Sequence, residues 1–488
     1  MPIQKTTRVT AKKQASALSK EEWMPKKRGV RPVQNLRGFK DHLPSEQKFW
    51  QEVFSLAQTL AHQYGYKRID TPILEPVQLF KRSLGDFTDI VSKEMFTFKD
   101  GGGENVVLRP EATASIVRAY IQHGMFTEPQ PIRLWYWGPM FRYERPQAGR
   151  TRQFYHLGFE SIGDNHPIID AQHILICFNF FQNFGITPLI QINSIGDKED
   201  RKEYAKRLTQ YYKKSQKIIC ADCKKRLTKN PLRLLDCKQA QCQPVKAEAP
   251  QIIDHLGEEA HEHFTKVLEY LDEMEVPYQL NPYLVRGLDY YNRTVYEIFP
   301  SQESAEEKAQ SALGGGGRYD TLIENLGGRE TPAVGFSLGV ERVLLAMRDA
   351  GYTPQDAYAP DVYIAQLGEQ ARREALKLFE DLRIRGFKVA ETLSKDGLKP
   401  QLEHAAKLKA RFTLIIGQKE VLDNTIIIRD MESSIQEIYD RKKTAVELAK
   451  KFKELDEIQD VAENKDEEKD EEKDERDDKQ ADGEEKES

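Results

Sequence analysis

Phe49, Val53, Leu56 and Leu60 recur at helical spacing, which predicts a helix opened by Ser45 as its N-cap and ended by Gly65. Tyr66 to Thr71 then reads as a strand that Pro72 stops. Residues 131–163 predict two long antiparallel strands, Ile132 to Tyr143 and Arg152 to Ile162, with Arg142 inside the first. They are joined by a polar turn, Arg145-Pro146-Gln147-Ala148-Gly149-Arg150. Successive strand side chains alternate faces. Arg142 and Glu144 therefore share one face of the first strand, and Phe154, His156, Gly158 and Glu160 one face of the second. Tyr155, Leu157, Phe159 and Ser161 take the other face. A row of His, Gly and Glu makes a poor core face. It reads as the floor of a site, with Gly158 leaving room for a ligand.

Residues 196–280 are helical in pattern and highly charged, as in an inserted module. Strand-like sequence returns at Thr294–Phe299, followed by a glycine run at 314–317 and Arg318-Tyr319-Asp320. Ala333 to Leu338 reads as a strand feeding a helix that carries Val340, Val343, Leu344 and Met347 on one side. A Pro-, Gly- and Tyr-rich boundary falls at 351–360. Beyond it strands at 362–366, 387–390, 412–416 and 425–428 are interleaved with helices near 370–384 and 398–409, and a final helix follows. That alternation predicts a small, mostly parallel α/β domain. No internal repeat is visible.

Composition changes this picture mainly at the ends. Only 39% of the 488 residues are hydrophobic, so part of the length is expected to be solvated tail. Residues 1–31 hold nine Lys/Arg against two Glu, and residues 454–488 hold nineteen Asp/Glu against six Lys/Arg. With few apolar groups to offset ordering entropy of about 1–2 kcal/mol per residue, the acidic tail is expected to be disordered. It reads as a solubilising tail or as a partner-binding arm. The basic arm reads as a nucleic-acid attractant or a plain extension. The expected organisation is a basic disordered arm (1–35), a main domain (36–350) with an insertion (196–280), an α/β domain (360–450) and the acidic tail (454–488). No stretch reaches the roughly 18 apolar residues of a membrane-spanning helix, and the start of the chain lacks the apolar core of a signal peptide. Five cysteines exclude a secreted disulfide scaffold. These features predict a soluble, cytoplasmic protein.

Five arginines (133, 142, 145, 150, 152) on one hairpin are the first chemical signal. A strand guanidinium such as Arg142 is costly to bury without an anion, and phosphate suits its bidentate fork. A structural Arg–Glu pair is the alternative. Arg342 stands in the first turn of a helix, where the positive helix terminus again favours an anion. The glycine run lacks the Gly-Lys-Ser/Thr ending of a nucleotide phosphate loop, so it is assigned to tight turning or close approach to a ligand. Cys220, Cys223, Cys237 and Cys242 follow C-x2-C-x13-C-x4-C. Zinc binding is open to such a set, although the second pair departs from a CxxC knuckle; plain reduced cysteines are preferred and no metal ligand is assigned. Cys177, in an apolar run, reads as core. No Ser-His-Asp or Cys-His nucleophile pattern is visible, and His42 and His123 read as structural.

Several segments resemble a known family. Tyr64-Gly65-Tyr66 through Pro72 resembles motif 1 of the class II aminoacyl-tRNA synthetases, Leu134 to Glu160 with Phe141-Arg142-Tyr143-Glu144-Arg145-Pro146 resembles motif 2, and Gly335 to Arg342 resembles motif 3. Leu284-Val285-Arg286-Gly287-Leu288-Asp289-Tyr290-Tyr291 and Gly316-Gly317-Arg318-Tyr319-Asp320 resemble the two histidine-specific signatures. Leu108 to Thr113 resembles the amino-acid loop of the bacterial-type histidyl-tRNA synthetases. The resemblance spans about Arg37 to Leu448. It implies an α/β protein: an α+β catalytic domain on an antiparallel six-stranded sheet flanked by helices, a helical insertion and a C-terminal α/β anticodon-binding domain. It further implies a homodimer that forms histidyl-adenylate from L-histidine and ATP with Mg2+ and passes histidine to the 3′ end of tRNA(His).

By resemblance, Arg142 and Arg286 are the catalytic residues, at the α-phosphate and the reactive carboxylate. Arg142, Glu144 and Arg342 hold ATP. Glu111, Ala112, Thr113, Arg142, His156, Glu160, Arg286, Tyr290, Tyr291 and Tyr319 surround histidine. Within that set Glu160 accepts from one imidazole nitrogen, and Tyr291 or Tyr319 donates to the other. Arg145 and Gln147 match positions that read the tRNA acceptor end. Two departures stand out: Ala112 replaces the usual glycine, and His156 stands where the family usually has Gln. A neutral imidazole accepts from the substrate ammonium and a protonated one repels it, so histidine affinity is expected to fall as pH drops through about 6.5. The competing assignments are the regulatory subunit of ATP phosphoribosyltransferase, which shares the catalytic fold, and a class II synthetase for threonine, proline or glycine. Retention of Arg142, Arg286 and Arg342 and the presence of a C-terminal domain weigh against the first. The 286–291 block weighs against the second.

Overall fold

The computed structural model describes residues 32–85, 88–146, 149–300, 312–354 and 359–454. The disorder expected of the two charged ends falls almost wholly outside these residues, as does Gln147. The described residues form two compact units, one ending at Pro354 and one within 359–454.

In the first unit the strands are, in chain order, β1 (Lys67–Arg68), β2 (Leu74–Pro76), β3 (Phe96–Lys99), β4 (Asn105–Leu108), β5 (Ile132–Phe141), β6 (Gln153–Ile162), β7 (Leu189–Ser194), β8 (Tyr278–Leu280), β9 (Asn292–Phe299), β10 (Gly314–Arg318) and β11 (Ala333–Gly339). Eight of them make one sheet in the order β1-β5-β6-β11-β10-β9-β7-β8. Its six central strands pair antiparallel throughout, and β1 and β8 add short parallel edges. The sheet separates two layers. On one face Trp135, Leu157, Phe159, Tyr296, Phe336 and Leu338 pack with the helices Pro44–Gln63, Pro167–Gln182, Glu258–Glu273 and Val340–Asp349. The opposite face carries the polar floor. Val107 of the small sheet β2-β4-β3 and the helix Thr113–Gln122 belong to the second core cluster, together with buried side chains between Ile195 and Ile252.

Four expectations need correction. Ser45 lies inside its helix: Pro44 takes the first helical position, where its fixed φ and missing N–H cost nothing, and the N-cap is Leu43. The strand expected over 66–71 pairs only at Lys67 and Arg68, because it lies on the edge and has a neighbour on one side alone. Arg142 lies one residue past the end of β5, although its backbone N–H still donates to Arg152 O at 3.0 Å. The glycine run is not a tight turn, one of the two readings given for it. It is the inner strand β10, hydrogen-bonded on both sides.

In the second unit the strands are β12 (Val362–Gln366), β13 (Val389–Glu391), β14 (Phe412–Ile416), β15 (Thr425–Asp430) and β16 (Gln436–Asp440). Their order is β13-β12-β14-β15-β16, with two parallel and two antiparallel pairings, so the sheet is mixed. The added strand β16 is mostly exposed and polar, and such a strand leaves no hydrophobic alternation to read. A helix over 444–454 follows. Among the described residues no helix is long and apolar enough to cross a membrane.

Candidate active site

The long hairpin β5–β6 sets the floor through its register. Gly138, Tyr136 and Leu134 stand opposite His156, Gly158 and Glu160. A Cβ at 158 would collide with the Tyr136 phenol. The room Gly158 leaves is therefore filled by Tyr136 and not by a ligand, which corrects the expectation for that residue. The same device recurs nearby. A Cβ on Gly335 of β11, paired with Glu160, would strike the Glu160 carboxylate, and one on Gly315 of β10 would lie 2.8 Å from Arg286 Nη1. These glycines let long polar side chains lie across the sheet.

Above this floor opens a cavity of about 230 Å3. Arg142, Arg286 and Arg342, from three distant segments, all line it, with Glu111, Thr113, Glu144, His156, Tyr290 and Tyr291. Arg142 is aimed by donating from Nε to Pro110 O at 2.9 Å, and its guanidinium stacks 5.3 Å from the Phe154 ring. Arg286 Nη1 donates to Glu297 at 2.5 Å, while its buried Nε has no hydrogen-bond partner. Arg342 donates to Gly149 O at 3.3 Å and to Ala312 O at 2.5 Å. Burial, then repulsion from Arg150, lowers the Arg342 guanidinium to about 10, with Arg142 adding to the repulsion. Cations crowded this way are held at a cost that an arriving polyanion relieves.

Beside the arginines lies a carboxyl cluster. Glu111 accepts from the backbone N–H groups of Thr113 (2.6 Å) and Ala114 (3.0 Å), at the positive end of the helix Thr113–Gln122. Glu160 accepts from Thr113 Oγ1 at 2.7 Å and from the Tyr319 hydroxyl at 2.5 Å. It is buried, but beneath polar groups and not beneath packed hydrocarbon. Burial raises its carboxyl to about 8, against the pull of those two donors.

The Glu160 shift makes a stability prediction. An unfolded glutamate titrates near 4.5, so between that pH and about 8 the folded state alone keeps the proton, and stability falls as pH rises through the window. Glu160→Gln is therefore expected to raise the melting temperature more at about pH 8 than at about pH 5, measured by calorimetry. An equal shift at both pH values would contradict it.

A model of the family described as "Histidyl-tRNA synthetase" matches residues 38–196 and 197–343, and one described as "Anticodon binding domain" matches 361–455. A histidine–tRNA ligase of Dehalococcoides mccartyi is 45% identical over 404 residues, covering 83% of this chain and 96% of that protein. One from Fervidobacterium nodosum is 44% identical over 410 residues, covering 84% and 96%. The crystal structure of apo S. aureus histidyl-tRNA synthetase matches at TM-score 0.73 and 36% identity, covering 86% of this chain and all of that one. The chain belongs to the histidyl-tRNA synthetase family. Its fold is the class II synthetase fold with a C-terminal anticodon-binding α/β domain.

The histidyl-tRNA synthetase motifs divide into residues that face the cavity and residues behind it. Ala112, Glu160 and Tyr319 lie behind its wall, and Arg145 is exposed in the turn outside it. The second signature is mostly scaffold. Arg318 is fully buried, its Nε 3.2 Å from Asp170 Oδ1 and its Nη1 3.2 Å from Asp320. Asp320 in turn accepts from Asn292 Nδ2 at 2.8 Å. Only Tyr319 between them reaches the carboxyl cluster, so the flanking ion pairs hold that phenol in place. Arg150, marked in the sequence only as one of five hairpin arginines, also lines the cavity, as do Tyr136, Glu297 and Glu341, which the sequence did not mark as site residues. Glu297 had a signal: a lone carboxylate in the otherwise apolar stretch Val295–Phe299.

His156 needs a different account from the one expected. Burial, then repulsion from Arg142, Arg342, Arg109 and Arg286, pushes its imidazole well below its ordinary value. It does not titrate through 6.5. Its Nδ1 is buried without a partner, which suits an acceptor awaiting a donor. His156→Gln is therefore expected to leave the pH profile of histidine KM unchanged between about pH 5.5 and 8. A profile that flattens in the variant would restore the titrating histidine.

Proposed function

We propose that the protein is a histidine–tRNA ligase that makes histidyl-adenylate and pyrophosphate from L-histidine and ATP, then transfers histidine to the 3′ end of tRNA(His). The observation that carries this is the convergence of Arg142, Arg286 and Arg342 on one cavity beside the Glu111–Thr113–Glu160–Tyr319 cluster. The substrate carboxylate oxygen bonds to the α-phosphorus in line as the bond to pyrophosphate breaks. Negative charge gathers there, and fixed cations do most of the work through positioning and electrostatic stabilisation. Arg142 takes the α-phosphate, Arg286 bridges α-phosphate and carboxylate, and Arg342 braces the rest of ATP. Glu144 and Glu297 would offer carboxylate oxygens to Mg2+ arriving with ATP, and the ion would neutralise phosphate charge. In the second step a terminal ribose hydroxyl of tRNA attacks the acyl carbon and AMP leaves.

Selection rests on Glu160. Thr113 and Tyr319 donate to it, and even with its proton held a carboxyl keeps acceptor capacity beyond these two bonds, enough for an imidazole N–H. Tyr291, which lines the cavity, serves the second ring nitrogen, because the one Tyr319 hydroxyl proton is already given to Glu160. A site built on such bonds rejects amino acids that lack them. Glu111, Thr113 and the neutral His156 accept the ammonium, with Ala112 and Tyr290 shaping the pocket; Arg145 and Gln147 meet the acceptor end. Residues 36–350 form the catalytic domain with 196–280 inserted, and residues 360–450 form the domain that reads the anticodon. The protein works in the cytoplasm as a homodimer; a monomer mass by light scattering would overturn the dimer.

The deciding experiment is ATP–pyrophosphate exchange with each amino acid in turn. Exchange with histidine alone is expected. Exchange with none would favour a regulatory, non-catalytic relative, and exchange with another amino acid would reassign the specificity.

A further inference from the structure

We propose that Cys220, Cys223, Cys237 and Cys242 form a structural zinc site in the inserted module, which steadies the loop carrying Arg286. The four Sγ atoms lie within 4.8 Å of one another. Cys220 and Cys237 Sγ are 3.9 Å apart, and Cys223 and Cys242 Sγ are 4.0 Å apart. A tetrahedral site with zinc–sulfur bonds of about 2.3 Å sets its sulfurs about 3.8 Å apart. A disulfide needs about 2.05 Å, so these sulfurs surround a common point instead of bonding in pairs.

The convergence is not what apolar packing alone requires. Cys220 is the N-cap of the helix Ala221–Lys229, Cys223 lies in its first turn, Cys237 follows the short turn Pro231–Leu234 and Cys242 ends the turn Ala240–Cys242. Three of the four are buried. Cys177 shows the alternative: also buried, it sits in the apolar cluster of the helix Pro167–Gln182, away from other thiols. Two backbone N–H groups already point at sulfur, Cys223 N to Cys220 Sγ at 3.4 Å and Cys220 N to Cys242 Sγ at 3.2 Å. Such donors favour thiolates, the form a metal binds. Residues 213–246 carry ten Lys/Arg against two Asp, so the net −2 of four thiolates and Zn2+ meets opposite charge. Soft sulfur ligands in a tetrahedron select zinc among common divalent ions. Short turns with so little core are the kind of segment that needs a staple.

The consequence for catalysis rests on the function proposed above. Between the second and third cysteines the chain carries Asn230 and Arg233. Asn230 Nδ2 donates to Asp289 Oδ1 at 2.8 Å, and Arg233 reaches Asp89 at 3.0 Å and Gly287 O at 3.5 Å. Both residues therefore hold the 287–289 stretch directly after Arg286. Clamping the ends of 224–236 with metal fixes these contacts.

The test uses the full chain, purified reduced and without chelator after growth with zinc. Elemental analysis is expected to find about one zinc per chain, lost in Cys237→Ser and Cys242→Ser and kept in Cys177→Ser. Replacement by Co2+ is expected to give the intense d–d absorption of tetrahedral cobalt thiolate, a readout that does not depend on the variants folding. Metal-free protein, iron in place of zinc, or a mass two units low for each disulfide would overturn the site. Zinc removal is expected to slow adenylate formation about 10-fold or more. An unchanged rate would remove the positioning role and leave the site. Absence of adenylate from the zinc-loaded protein would instead remove the proposed activity.

Discussion

Arg286→Ala is expected to slow adenylate formation by about 10^2- to 10^3-fold while changing ATP affinity far less. The guanidinium stands over Gly315, paired with Glu297 at 2.5 Å and 5.6 Å from the Tyr291 ring, so its place is set before any ligand arrives. A cation fixed in advance stabilises charge that appears only as the α-phosphorus is attacked. Its removal therefore acts on the transition state more than on ground-state binding. Single-turnover adenylate formation, followed beside ATP binding, separates the two. A loss of ATP affinity that matches the loss of rate would assign Arg286 to uniform binding.

The second large effect concerns stability. Asp170→Ala is expected to destabilise the first unit by about 3–5 kcal/mol, because it leaves the fully buried Arg318 without its main partner. Denaturant unfolding measures it, and a change below about 1 kcal/mol would show that solvent or Asp320 replaces the lost partner. Burial drives the Asp170 carboxyl upward, but the Arg318 guanidinium and His263 outweigh it and hold the group well below the usual carboxylate range. The sign follows: this stabilisation is complete above about pH 3.9, the unfolded value, and is lost only in stronger acid. Arg318 also anchors the strand end from which Tyr319 reaches Glu160. A rise in histidine KM should accompany the loss of stability.

Much of the site was legible because its elements announce themselves locally. Alternation along 153–162 put His156 and Glu160 on one face, and the observed register agrees. Arg142, Arg286 and Arg342 were marked by charge and motif, and the cavity they share is where they meet. Other features left no local trace. Gly158, Gly315 and Gly335 are needed for the bulk of Tyr136, Arg286 and Glu160, and those partners lie up to 175 residues away along the chain. The titration of His156 depends first on its burial and then on four arginines from four segments.

The sequence alone determined the main periodic elements, the order of the motifs and the chemical kinds of side chain available. Periodicity and residue type are properties of short stretches, and they survive without a fold. Only the tertiary structure decided that the glycine run is an inner strand, that Glu160 lies behind Thr113 and Tyr319, and that four cysteines face one point. Each of these depends on which distant atoms fill the space beside a residue. That space sets its dielectric, its partners and its charge.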